Sequence, residues 1–192
     1  MKKFLPLCAL STLGCAAALA ADAPFTLTSP DLPAGRPIPE RYTADTFGCH
    51  GPNESPHLIW SHPPEGTKSF AVTMFDPHRP PLSGWWHWIV YDLPPDTREL
   101  ARKAGDPGSA DLPAGVRQAP PDGAAPQPHY YGPCPDERDP PHQYLITVYA
   151  LSVAHLNVPA TATAANIDYE ISTKMLAKAT IVRAYARAHA AR

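Results

Sequence analysis

Three apolar runs dominate the chain: FAVTMF at 70–75, WWHWIVYDL at 85–93 and YLITVYAL at 144–151. Each is nearly continuous and free of internal proline, which predicts central strands over 69–75, 88–93 and 145–151. Phe25 to Leu27 and Leu58 to Trp60 add shorter strand-like stretches, the second closed by the turn-forming His62-Pro63-Pro64-Glu65-Gly66. From Ala164 onward the period changes. Ile167, Ile171, Met175, Leu176, Ala179, Val182 and Tyr185 recur at three- and four-residue spacing, with Asp168 and Glu170 early and Arg183, Arg187 and Arg192 late. That pattern predicts one amphipathic helix, or two short ones, charged to suit the helix dipole and covering a sheet edge or face. The expected fold is mainly β: an antiparallel β-sandwich with a C-terminal α-helical element and long Pro-rich loops.

Composition narrows this picture. A chain of 192 residues suits one domain, and 26 prolines suit either a disordered polar chain or a β protein with stiff connections. The apolar runs decide for the second. The net charge of −2 comes with no basic stripe, so nucleic acid is excluded as an expected partner, as is strong attraction to an anionic membrane. Lys2 and Lys3, the apolar stretch Phe4 to Ala18 and the small-x-small Ala18-Leu19-Ala20 read as a cleaved signal peptide over residues 1–20. A transmembrane anchor fits less well, because the run is short and no stop-transfer charges follow; Cys15 as a lipidated residue lacks a good preceding motif. The mature domain is then 21–192, periplasmic or secreted, with a net charge of about −4. Cys8 and Cys15 leave with the leader. Cys49 and Cys134 remain, and in an oxidising compartment a disulfide is expected of them rather than a metal site, since neither sits in a C-x-x-C pair.

The long segment Arg102 to Pro141, dense in Pro, Gly, Asp and Ala, is expected to hold short strands and to form one wall of a site. Candidate chemistry gathers at predicted strand ends: Asp76-Pro77-His78-Arg79-Pro80, Gly84-Trp85-Trp86-His87-Trp88, and Tyr131-Gly132-Pro133-Cys134-Pro135 with Pro141-His142-Gln143-Tyr144. A carboxylate and two imidazoles walled by aromatics and rigid prolines suit a small anion. Asp76 is expected to hold one imidazole in a donating tautomer, or to meet the ammonium end of a headgroup.

These segments, with Asn53-x-Ser55-Pro56-x-Leu58-x-Trp60, resemble the successive signatures of the phosphatidylethanolamine-binding proteins. The bacterial branch, often labelled Raf kinase inhibitor-like, is the nearer likeness, and it spans roughly Phe25 to Arg187. The resemblance implies a β-sandwich with a C-terminal helix and a pocket for phosphate-like anions or phospholipid headgroups. It implies that Asp76, Trp85, His87, Cys134 through its backbone, His142 and Tyr144 line that pocket. It also implies cis peptides, which would fall at Arg79-Pro80 and Ser83-Gly84. Three positions depart from the family pattern: His78 replaces a second Asp, Gln143 an Arg, and Asp136 a Pro.

No Ser-x-x-Lys, Gly-x-Ser-x-Gly, H-E-x-x-H or phosphate-loop motif is present, so a non-enzymatic binding protein without cofactor or metal is expected. Two alternatives stand beside it. One is an inhibitor or modulator of a protease or another protein through surface contacts. The other is a small hydrolase or isomerase using Asp76, His87 and His142 as acid and base. Six histidines lie at or near the motifs, but no pair has tight ligand spacing.

Overall fold

The structure, a computed structural model, describes residues 23–79, 84–122 and 127–187. The proposed leader and the peptide bonds at Arg79-Pro80 and Ser83-Gly84 lie outside them.

The elements follow in the order β1 (Thr26–Thr28), β2 (Leu58–Ser61), β3 (Ser69–Asp76), β4 (Trp85–Leu93), β5 (Glu99–Leu100), β6 (Arg117–Gln118), β7 (His142–Leu151), α1 (Ala164–Lys174) and β8 (Met175–Tyr185). They form two antiparallel sheets. The smaller has strand order β1-β2-β5, and the larger β6-β4-β3-β7-β8.

The three apolar runs become β3, β4 and β7, at the centre of the larger sheet. One face of that sheet packs Phe70, Val72, Met74, Trp88, Ile146 and Val148 against Leu27, Leu58, Trp60 and Leu100 of the smaller sheet. The other face packs Ala71, Ile89 and Tyr91 against Ile167 and Ile171 of α1. Burial on both sides explains why these strands read as continuous apolar runs rather than as alternations. Burying one side chain such as Phe70 or Ile171 removes it from water at roughly 1.5–3 kcal/mol, so these two layers carry most of the driving force. Gly84 precedes β4 at φ 72°, where a Cβ would fall 2.1 Å from the Phe75 ring. Only glycine fits there.

The C-terminal segment differs from the sequence expectation. The helix is real, and the Thr163 hydroxyl caps it by accepting from the Asn166 amide at 3.2 Å. It stops at Lys174, and Met175–Tyr185 becomes a strand paired along its length with β7. Ala179, Ile181 and Tyr185 turn toward the core, while Lys178, Thr180 and Val182 turn out. These residues satisfy a period of 2 as well as one of 3.6. The open edge of β7, together with the β-branched Thr180, Ile181 and Val182, selects the strand.

Cys49 and Cys134 form a disulfide with Cα atoms 6.0 Å apart, closing a loop of 85 residues in sequence. It ties the Thr43–Gly51 turn region to the segment before β7. Thiol titration of the unfolded, unreduced protein is expected to find none at these positions and two after reduction. The Cys49→Ala/Cys134→Ala variant should lose roughly 4 kcal/mol of stability in denaturant melts, the chain-entropy value for a loop of that length.

Candidate functional site

Three neighbouring strands end together. Asp76 closes β3, Trp85 opens β4 directly opposite it, and His142 opens β7 on the other side of β3. Between the pairs Met74–Trp88 and Phe75–Trp86 the register slips, leaving His87 as the extra residue of a β-bulge. The bulge lets Trp86 and Trp88 serve opposite faces of the sheet, and it re-aims His87 toward the strand ends.

The segment after β6 supplies the facing wall. The Tyr131 amide donates to the His87 carbonyl at 2.9 Å, and the His87 ring Nδ1 meets the Tyr131 carbonyl at 2.8 Å. Asn53 holds the same segment from behind: its Nδ2 donates to the Tyr130 carbonyl at 3.3 Å and its Oδ1 accepts from the Gly132 amide at 2.8 Å. At Gly132 a Cβ would fall 2.3 Å from the Tyr42 carbonyl oxygen, so the wall is packed to backbone contact.

Asp76, 1% exposed, has both oxygens engaged. Oδ1 accepts from the His78 amide at 2.8 Å, and Oδ2 accepts from His142 Nδ1 at 2.7 Å. His142 Nε2 faces Asp139 Oδ2 at 3.3 Å. The His78 ring lies beside this pair, 5.8 Å from the ring of His142. Tyr144 is buried with its ring 5.2 Å from His87, and burial pushes its hydroxyl up, so it stays protonated.

His87 is 2% exposed. A carbonyl can only accept, so the bond to Tyr131 places the proton of the neutral ring on Nδ1 and leaves a lone pair on Nε2. That Nε2 is buried without a partner among the described residues. Burial pushes the His87 pKa down to about 4, against the Tyr131 carbonyl and the Asp76 carboxylate, which pull it up. The ring is therefore neutral at pH 7. At His142 the Nδ1 proton goes to Asp76, because a carboxylate oxygen can only accept, and Nε2 faces the Asp139 carboxylate. Asp76 accepts from His142, and the donor it fixes points inward.

The donors come from elsewhere. Trp85 Nε1–H is buried without a partner among the described residues, and the Arg79 guanidinium lies over the Trp85 ring, 4.3 Å from its centre. Arg79 donates to the Cys134 carbonyl at 3.4 Å and has no carboxylate partner among the described residues. A third unpartnered nitrogen, Trp60 Nε1, sits in the core against Phe70. Outside the Trp85 cluster opens a cavity of about 750 Å³, lined by Arg79, Cys134, His142, Asp139, Arg187 and the 63% exposed Phe47. Of the six residues expected to line a pocket, Cys134 and His142 reach this wall. Asp76, Trp85, His87 and Tyr144 lie deeper, with Arg79 both on the wall and stacked on Trp85. Arg79 lies inside the Asp76–Pro80 motif, but nothing in the sequence tells whether it points to solvent or to the site. No group of three or more His, Cys, Asp or Glu among the described residues is arranged to hold a metal ion.

A small antiparallel sandwich whose ligand chemistry gathers at the strand ends, beside a disulfide-tied wall, defines the class of protein. The model of the phosphatidylethanolamine-binding protein family matches residues 28–186, and the chain belongs to that family. It is similar to YbcL of Escherichia coli K12, with 38% identity over 164 residues, 85% of this chain and 88% of YbcL. It is also similar to YbhB of the same strain, at 40% over 155 residues, 81% of this chain and 96% of YbhB. The crystal structure of YbcL, described as a member of the mammalian PEBP family, superposes with a TM-score of 0.81 at 37% identity, covering 86% of this chain and 99% of that one.

The depressed His87 pKa has a consequence for stability. Above the ordinary histidine value of about 6.5 the ring is neutral in both states and costs nothing. As pH falls from about 6.5 toward 4, the unfolded chain takes up a proton that the folded one refuses. Stability should therefore drop by up to about 3 kcal/mol across that window. Thermal melts between pH 7 and pH 4 are expected to show this slope, and the slope should be reduced in His87→Gln.

Proposed function

We propose that this chain is an exported, non-enzymatic binding protein whose site takes a small oxyanion of the phosphate type. One observation carries the reading. Among the described residues Trp85 Nε1–H is a buried donor without a partner, stacked beneath a guanidinium that faces no carboxylate. A buried unpaired donor is costly, and a stacked guanidinium with unused N–H groups suits a charged acceptor. The Asp76–His142 hydrogen bond fixes the His142 ring on the cavity wall. Export is supported by the Cys49–Cys134 disulfide, which belongs to an oxidising compartment, and no helix among the described residues is long and apolar enough to cross a membrane.

Calorimetry with inorganic phosphate tests the site. Trp85→Phe keeps the ring for Arg79 and removes only the N–H, and it should weaken phosphate binding about tenfold with an unchanged melting temperature. His142→Ala should weaken it as well, because Asp76 is left buried without its partner. Equal affinities in all three proteins would remove the assignment. For export, mass spectrometry of the protein recovered from the producing cell is expected to find a mature chain beginning at Ala21.

A further inference from the structure

We infer that the Cys49–Cys134 disulfide is a redox-operated latch on a partition between two cavities. A dithiol reductant opens it, and the turn that carries Phe47 then swings away while the domain stays folded. The latch is independent of which ligand the site takes.

Phe47, Cys134 and Arg187 line the cavity of about 750 Å³, and Gly48, Cys49 and Arg187 line a second one of about 340 Å³. The tip Phe47-Gly48-Cys49, the disulfide and the Arg187 side chain therefore stand between the two. Two ties hold that partition shut. One is the covalent bridge. The other is Arg187, whose Nη2 donates to the Gly48 carbonyl and to Glu137 Oε1, both at 2.7 Å. It spans the same gap, from the turn to the segment just after Cys134. At the base of the turn the Ala44 amide donates to the Pro133 carbonyl at 3.2 Å, and the Thr46 and Tyr131 hydroxyls meet.

The position of the bridge suits a latch better than a staple of the fold. It lies in a small cluster with Ala44 and Tyr131, apart from the two clusters that join the sheets and α1. Neither 44–50 nor 131–136 forms a helix or a strand. The turn is also held against its own preference: Phe47 has φ 52°, a left-handed conformation that costs a bulky side chain and that a released chain would leave. Its ring is 63% exposed and meets Tyr131 edge-on at 6.4 Å, so release forfeits little apolar burial. In the reduction, a thiolate of the reductant attacks one sulfur, forms a mixed disulfide and expels the other cysteine as a thiolate, which takes a proton. The reductant's second thiol then displaces the remaining cysteine, and the reductant departs as a disulfide, leaving Cys49 and Cys134 as thiols. Arg187 stays as the non-covalent tie, so the reduced turn opens part of the time and the cysteines remain near enough to rejoin.

The test is limited chymotrypsin digestion of the full mature chain, oxidised and after dithiothreitol, with the cut sites located by mass spectrometry. The protease needs an extended chain on both sides of Phe47, which the bridge two residues further on denies it. Cleavage of a transiently opened segment tracks the population of the open form, so the reduced protein should be cut after Phe47 at least about tenfold faster. Near-UV circular dichroism should stay unchanged meanwhile, and cuts within β3, β4 and β7 should stay slow. Arg187→Ala should leave the oxidised protein resistant and speed the cut in the reduced one further. Equal cutting after Phe47 in the two redox states overturns the inference. Reduction that abolishes the near-UV signal and exposes the sheets to the protease overturns it too, because the bridge is then a staple of the fold. Thiols that appear only after unfolding, with none formed by dithiothreitol in the native protein, overturn it as well, since a latch must be within reach.

Discussion

Two hydrogen bonds between His87 and Tyr131 join the long proline-rich segment to the central sheet, and much of the site depends on them. One is backbone to backbone, the other backbone to ring. Together they hold a wall that has little regular structure of its own: among its described residues only Arg117–Gln118 forms a strand. They also decide a chemical property, since a ring nitrogen bonded to a carbonyl must carry the proton. The bulge at His87 makes the arrangement possible, because a regular strand would have given this residue a ladder position rather than a free one.

Around that clasp the charges are arranged in matched pairs. Asp136 faces Arg138, Glu137 faces Arg187, and Asp139 faces His142. Arg79 meets an aromatic face and a carbonyl, with no carboxylate partner among the described residues. Of the three departures from the family pattern, Asp136 lines the cavity and His78 lies beside the Asp76–His142 pair. His78 takes its place beside Asp76 without claiming either oxygen through its ring, and Asp136 is drawn into the ion pair with Arg138. Gln143 is exposed on β7 and accounts for nothing seen in the site.

Much of the fold was legible because its cause is written locally. Continuous apolar runs announced β3, β4 and β7, and the Ile167 and Ile171 spacing announced α1. The strand at Met175–Tyr185 was not, because alanines at 177 and 179 fit either period and only the unpaired edge of β7 decides between them. The site was legible as a set of residues and illegible as an arrangement. Asp76, His87 and His142 could be placed at strand ends from sequence, although β4 opens two residues before His87, at Trp85. The bulge, the direction of the imidazole protons and the inward turn of Arg79 depend on register and on contacts between segments far apart in the chain.

The edge formed by β8 bears on how the protein behaves when crowded. A strand of this length, with Leu176 and Val182 exposed, is the kind of border onto which a second chain can add. Its border is interrupted along its length. Leu176 is the extra residue of a bulge, Lys178 places a charge on the outer side, and the Ile38 amide occupies the Ala184 carbonyl. The Arg183 guanidinium covers the Val182 carbonyl in the same stretch. The molecule thus keeps a broad sheet from growing sideways with one kink, one charge and one borrowed loop, so its solubility at high concentration rests on residues remote from anything it binds.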